Sequence, residues 1–427
     1  MTQTYERFLA EKRAPRAGER VEIVTMPELL FPFQRELVET SLAWGRGAVF
    51  ADCGLGKTLI QLAWAENVWR NKGGKVLILA PLAVAEQTRR EGEKCGVHVT
   101  VCREAEDVDL GINVTNYERL ERFKILPWTG LVLDESSILK AFDGKTREAL
   151  TAFGSTVRYR LCCTATPSPN DHEELGGHAE FLGILSRKQM LAQFFVNDGL
   201  SAAHWRLKGH GRRPFWTWVN SWARALRSPA DLGYPEDGFR LPPITYEVEH
   251  VDADSVSDER LFSVAVSTLS ERREARRESL AERVSLAAQY VNCSSEPWVV
   301  WCDLNAESEA LARAIPDALE VKGADDPDVK AKRLSAFTNG QARVIVSKPT
   351  IAGWGLNWQH CPNVLFVGLS DSFEQFYQAV RRCWRFGQTR PVRVLIIASR
   401  REETVLQNIQ RKQTQAEEMF AEMVAAT

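Results

Sequence analysis

The segment Ala51-Asp52-Cys53-Gly54-Leu55-Gly56-Lys57-Thr58 constrains this chain more than any other stretch. Before it, GAVFAD (47–52) reads as a short apolar strand. After it, LIQLAWAENVW (59–69) carries apolar residues at helical spacing. Strand, glycine loop and Lys-Thr at a helix start make up the arrangement in which backbone N–H groups and the helix dipole cradle phosphates. Gly54 and Gly56 let the backbone approach the anion, Lys57 is placed to reach the β- and γ-phosphates, and the Thr58 hydroxyl is placed to ligate Mg²⁺. Ala51 stands where the strict pattern has glycine, so the motif is relaxed by one residue. ATP and Mg²⁺ are the expected ligands.

An ATPase site also needs an acidic pair at the end of a buried strand. GLVLDESS (130–137) supplies one, because Leu131-Val132-Leu133 form the continuous apolar run of a parallel strand covered on both faces. Asp134 is expected to hold Mg²⁺ and Glu135 to orient and polarise the attacking water.

The strand and helix patterns between these motifs continue along the chain. KVLILA (75–80) reads as a buried strand, AVAEQTRREGEKC (83–95) as an amphipathic helix, and VTNYERL (114–120) as a strand end running into a helix. YRLCCTATP (159–167) adds another strand. A second alternation follows in WVVWCDL (298–304), RVIVSK (343–348), NVLFVGL (363–369), a helix at 372–385 and VRVLIIAS (392–399). Such alternation predicts α/β architecture, with parallel sheets, helices on both faces and ligands at the carboxyl ends of the strands. The expected divisions are a charged helical lead-in at 1–25, a first domain at 26–185, an insert at 186–245 and a second domain at 246–427. The last includes a charged helix at 257–290, read as a solvated face over an apolar stripe.

Composition narrows the class. Hydrophobic residues at 44% and charged residues at 26% are ordinary for a globular protein, and no apolar run approaches membrane-spanning length. Nine cysteines without a CxxC pair and seven histidines without HExxH indicate neither zinc nor a disulfide framework. A soluble cytoplasmic protein is expected. A net charge of −2 means that any nucleic-acid surface must be local.

Further on, QAVRRCWRFGQTRPV (378–392) places Arg382 and Arg385 on one face of a helix before a Gly-Gln break. Arginines of one domain offered to a nucleotide on the other stabilise charge on the transferring phosphoryl group when the domains close.

Taken together, these motifs resemble the superfamily 2 helicase core of the SNF2-like branch, over roughly residues 28–185 and 290–400. Gln34 in FPFQREL matches that family's adenine-reading glutamine, and ADCGLGKT its motif I. LAPLAVAEQ (79–87), VTNYE (114–118) and LVLDESS are similar to motifs Ia, Ib and II, and Lys140 with KTREAL to the SNF2-like extension of motif II. CCTATPSPN (162–170) is similar to motif III, whose Thr164 and Thr166 the resemblance assigns to coupling hydrolysis with DNA contacts. VVWCDLNAESEAL, SKPTIAGWGLNW and the run from Gln378 to Gln388 fit motifs IV, V and VI. The resemblance implies two RecA-like doubly wound domains. It assigns Gly355 to nucleotide binding, and Asn357 and Gln378 to coupling or DNA contact. Motif II departs from the family in ending Ser136-Ser137 where Ala-His is usual, and motif V is less glycine-rich. The compact length and the insert followed by SPADLGY resemble helicases carried by phages and prophages, which implies a bacterial cell.

Between Gly199 and Ala230 there is no acidic residue, while Trp205, Trp216, Trp218 and Trp222 cluster with several arginines. This is the expected Trp-rich basic helical or hairpin insert between the domains. The spacing of Trp218 and Trp222 suits core packing. LKGHGRR is read as an exposed hairpin tip, so Arg206, Lys208, Arg212 and Arg213 are the candidate DNA contacts beside Trp205. The expected function is an ATP-dependent DNA helicase or translocase acting on duplex or single-stranded DNA, with replication, recombination or defence proteins as further partners. The competing readings are an ATP-gated DNA clamp with little sustained hydrolysis, and an RNA helicase.

Overall fold

Apolar runs bounded by glycine and polar turns become parallel strands wherever helices cover both faces. A computed structural model of the 427-residue chain describes residues 18–81, 84–140, 144–197, 205–251, 276–352 and 356–426. It contains two α/β units, Met1–Glu236 with Gln415–Thr427, and Asp237–Thr414.

In the first unit, six strands alternate with helices: β1 (Arg46–Ala51), β2 (Lys75–Ala80), β3 (Val99–Val101), β4 (Gly111–Asn116), β5 (Gly130–Asp134) and β6 (Tyr159–Cys163). A short antiparallel hairpin follows, β7 (Phe195–Asn197) with β8 (Trp205–Leu207), then the helix Arg212–Asn220 and β9 (Ala223–Leu226). The sheet order is β3-β4-β2-β5-β6-β1-β9, and every pairing is parallel. Because β5, β6 and β1 are neighbours, the loops leaving their carboxyl ends meet at one edge, where doubly wound sheets bind ligands.

The second unit repeats the scheme with β10 (Ile244–Val251), β11 (Trp298–Cys302), β12 (Ala318–Val321), β13 (Val344–Ser347), β14 (Asn363–Val367) and β15 (Val392–Ser399). Its six strands run parallel in the order β10-β15-β14-β11-β13-β12. Two parallel-sheet α/β domains are therefore present, as the alternation predicts, and they are the RecA-like pair that the resemblance implies.

The structure corrects four local readings. Residues 186–236 are not a separate insert but part of the first unit. Strand β9 is the edge of the first sheet, and Phe215, Trp216, Val219 and Trp222 are sealed into that unit's core. Fully burying such a side chain contributes roughly 1.5–3 kcal/mol, which outweighs any tendency of the segment to stand apart. Met419, Phe420 and Met423, on the long helix Glu403–Ala425, join the same core, so the chain's end also belongs to the first unit.

LKGHGRR is not a hairpin tip. It leaves β8 through a turn at Gly209–Gly211 and enters the helix Arg212–Asn220, with the Lys208 ammonium donating to the carbonyls of Ala192 and Gln193, each at 3.0 Å. The lead-in is not helical over residues 18–25. The amides of Val24 and Thr25 instead donate to Asn67 Oδ1 at 2.7 and 3.0 Å, and residues 1–17 lie outside the described residues.

Of the charged helix, residues 257–275 lie outside the described residues, and its main helical stretch runs Leu280–Asn292. Its Arg283 is not solvated. It is fully buried and paired at 2.7 Å with the equally buried Glu307. No helix among the described residues is long and apolar enough to cross a membrane.

Candidate active site

At the carboxyl end of β1 the chain turns through Asp52–Gly56 and enters the helix Lys57–Lys72. Gly54 and Gly56 have φ of +89° and +78°, a region that side chains disfavour, so the turn depends on glycine at both positions. Gly56 is constrained a second way. A Cβ there would lie 2.3 Å from Gln34 Nε2, which donates to the Leu55 carbonyl at 2.9 Å. Gln34 is thus sewn to the loop, its Oε1 accepting from the Phe31 amide at 3.0 Å.

Lys57 Nζ donates to the Ala51 carbonyl at 3.0 Å. Burial alone would lower its pKa, but the charges of Glu135, Asp134 and Asp52 outweigh that and hold it above the ordinary lysine value. Thr58 follows it in the first turn of the helix.

Asp134 ends β5, almost fully buried, and accepts from Gln61 Nε2 at 2.6 Å. Burial, reinforced by the neighbouring Glu135, pushes its carboxyl up to about 6, with Gln61 and Lys57 opposing. The buried hydroxyl of Tyr117 donates to the Asp134 carbonyl at 2.7 Å, fixing the strand end from below. Glu135 has φ of +53°, the only non-glycine in the left-handed region among the described residues. Strain of this kind costs about 1–3 kcal/mol and persists where surrounding contacts enforce it.

Those contacts are visible. Thr164 Oγ1 donates to Glu135 Oε2 at 3.2 Å and accepts from the Thr166 amide at 3.1 Å. On the other side, Ser136 Oγ and His178 Nε2 form a buried hydrogen bond of 3.1 Å. The Ser136 that departs from the family pattern therefore has a dedicated partner on the helix Leu175–Leu182.

The donor set at this edge consists of carboxylate and hydroxyl oxygens, the hard ligands that Mg²⁺ prefers. The buried Gln61 Oε1, left without a partner beside Asp134, adds unused acceptor capacity. Thr58 and Asp134 are the residues that would hold a Mg²⁺ here.

Three residues of this edge escaped sequence reasoning. Gln61 stands one helical turn after Lys57, so the (i, i+4) spacing was an available signal. Tyr117 and His178 gave none, because only the strand order brings them beneath Asp134 and Ser136.

In the second unit, the helix expected at 372–385 ends at Val380, so Arg382 and Arg385 do not share a helix face. They lie in the turns beyond it and converge on one acceptor, both donating to the Leu356 carbonyl, at 3.0 and 3.1 Å. Arg382 also donates to Gln378 Oε1 at 3.2 Å, and Asn357 Oδ1 is buried without a partner. Gly355 lies outside the described residues.

Of the basic candidates in the first unit, Arg206 and Arg213 are exposed. Arg212 is committed to Glu422 at 2.6 Å, a carboxylate it shares with Trp216 Nε1. Trp205 packs half-buried against the first unit's core.

Comparison with known proteins gives a partial match. Residues 37–198 match the model of the SNF2-related domain, a span that includes the phosphate loop, Asp134-Glu135 and Thr164. Curated proteins give no match to the sequence. Among solved structures, the chain is similar to the Sulfolobus solfataricus SWI2/SNF2 ATPase core in complex with dsDNA. That pair shares 17% identity and a TM-score of 0.45, over 89% of this chain and 90% of that one. Over residues 37–198 this chain is therefore similar to the SNF2-related domain.

Proposed function

We propose that the protein is a DNA-stimulated ATPase that couples hydrolysis to movement along DNA. One observation carries the hydrolytic part: the phosphate loop, Asp134, the strained Glu135 and Thr164 meet at one edge of the first sheet. The SNF2-related domain and the order of motifs on both units support the DNA-directed part.

In this reading, the loop amides and Lys57 hold the β- and γ-phosphates, while Gln34 faces the base. Mg²⁺ on Thr58 and Asp134 would neutralise charge developing on the phosphoryl oxygens. Glu135 accepts a proton from the attacking water and orients it, and its left-handed backbone aims the carboxylate. Because Thr164 donates to that carboxylate, a shift of the Thr164–Thr166 segment changes the aim of the base. That gives nucleic-acid binding a route to turnover. Arg382 and Arg385 supply guanidinium charge to the transferring phosphoryl group during hydrolysis. Arg206 and Arg213, exposed on the first unit, contact the DNA backbone.

ATPase rates measured in parallel with single-stranded DNA, duplex DNA and RNA test the proposal, followed by a strand-displacement assay. Stimulation by DNA of either form, with sustained turnover, is expected. Equal stimulation by RNA would make the chain an RNA helicase, and saturable DNA binding without steady-state hydrolysis would make it a clamp.

A further inference from the structure

In the second unit, Arg385 stands where no regular element holds it. The helix Phe373–Val380 has ended, and residues 381–387 run through turns to Gly387, whose φ is +89°. The Leu356 carbonyl, accepting from Arg385 Nη1 at 3.1 Å, tethers the guanidinium. It does not fix the backbone beneath, because outside a helix each residue keeps both of its soft dihedrals. The aim of the side chain therefore depends on what holds the residues on either side.

One segment holds both neighbours. Trp384 Nε1 donates to the Pro242 carbonyl at 2.7 Å, and the Arg381 guanidinium lies over the Trp384 ring, 4.7 Å from its centroid. Phe386 stacks on Phe239, with centroids 4.6 Å apart and planes inclined by 31°. Further on, the Val392 amide donates to the Pro243 carbonyl at 2.9 Å, where β15 starts beside β10. These contacts lay residues 239–243 along residues 384–392.

The segment has the character of a connection everywhere except at Phe239. Pro235, Glu236, Asp237, Gly238 and Arg240 are exposed, as in an ordinary surface loop, while Phe239 is buried. The ring it meets, Phe386, is itself 38% exposed. An aromatic side chain withdrawn from water in such a run fastens the backbone to its partner through burial and ring stacking. Pro242 and Pro243 lock two φ angles just beyond it, so the anchors at Phe386 and Trp384 are joined with little slack. The second unit begins at Asp237, which makes this its entering segment.

Resting on the reading that Arg385 supplies charge to the transferring phosphoryl group, we infer that Phe239 is a positioning residue for that arginine. Segment 239–243 holds Trp384 and Phe386, and through them sets where the Arg385 guanidinium points. A misplacement of about 1 Å can cost roughly 10²-fold in rate. Loosening the two neighbours should therefore slow turnover and leave nucleotide binding alone.

The test measures steady-state ATPase at saturating DNA, affinity for a fluorescent ATP analogue, and melting temperature, all on the full chain. Phe239→Ala should lower kcat at least tenfold, with KM for ATP and analogue affinity within twofold of wild type. Phe239→Leu, which keeps apolar bulk against the Phe386 ring, should retain most of the rate. Trp384→Phe removes the bond to Pro242, keeps a ring beneath Arg381, and should lower kcat without moving the melting temperature. In the Arg385→Ala background, Phe239→Ala should have no further effect, because the group it positions is gone. A wild-type rate in Phe239→Ala, or the same fractional loss with and without Arg385, would overturn the inference and leave the reading of Arg385 standing. An Arg385→Ala protein close to wild type would overturn that reading and the inference with it.

Discussion

Acidification from pH 7.5 to pH 5 should cost the first unit about 2 kcal/mol through a single side chain, His178. The ring is fully buried, bonded to Ser136 Oγ at 3.1 Å and packed edge-on against Phe50 with centroids 5.2 Å apart. Burial drives its pKa from 6.5 down to about 4, against small opposing effects from neighbouring hydrogen bonds. In the unfolded chain the imidazole takes its proton near pH 6.5; in the folded chain it refuses it until about pH 4. Between those values the unfolded state binds the extra proton. Stability is therefore fully present above pH 6.5 and is lost as pH falls toward 4. The gap between 6.5 and about 4 corresponds to roughly 3 kcal/mol in full and about 2 kcal/mol by pH 5. Urea unfolding followed by circular dichroism at pH 7.5, 6 and 5, on wild type and His178→Gln, measures this. Glutamine retains a partner for Ser136 and cannot titrate, so its stability should fall less with acid by about that amount. Equal losses in the two proteins would show that His178 is not held neutral by burial, and the account of the Ser136 contact would fall with it.

Lys57→Ala should abolish ATP turnover and weaken nucleotide binding, whereas Glu135→Gln should bind ATP and DNA while hydrolysing poorly; near-wild-type turnover in the latter would remove Glu135 as the base. Arg385→Ala should retain ATP binding and lose DNA-stimulated hydrolysis by roughly 10³-fold or more, as arginines acting on a transferring phosphoryl group do. A twofold loss would assign it only to capping the Leu356 carbonyl. Replacing Arg206 and Arg213 together with alanine should flatten the dependence of log DNA affinity on log salt, by about 0.9 for each phosphate that is no longer neutralised. Their exposure means the melting temperature should not move. An unchanged salt slope would take DNA binding away from this segment.

Local features of the sequence determined the framework of the molecule. The glycines at 54 and 56, the Lys-Thr after them and the acidic pair after an apolar run each state a backbone or charge requirement within a few residues. Apolar runs such as 75–80 and 392–399 state full burial on both faces, and both became internal strands of parallel sheets. Where a reading depended on what a residue would meet far along the chain, the tertiary structure decided it. The spacing of the tryptophans at 218 and 222 suits a core, but which core they and Trp216 fill is set only when β9 pairs with β1 and closes the first unit over them. Arg283 reads as a solvated charge until Glu307 is brought against it, and Ser136 as a defect in motif II until His178 arrives beneath it. Phe239 was one unremarked apolar residue until the fold set it against Phe386. The physical reason is one of range. Backbone conformation and periodic burial are encoded by near neighbours, whereas the partner of a buried charge or ring is chosen by strand order, which no short window of sequence contains.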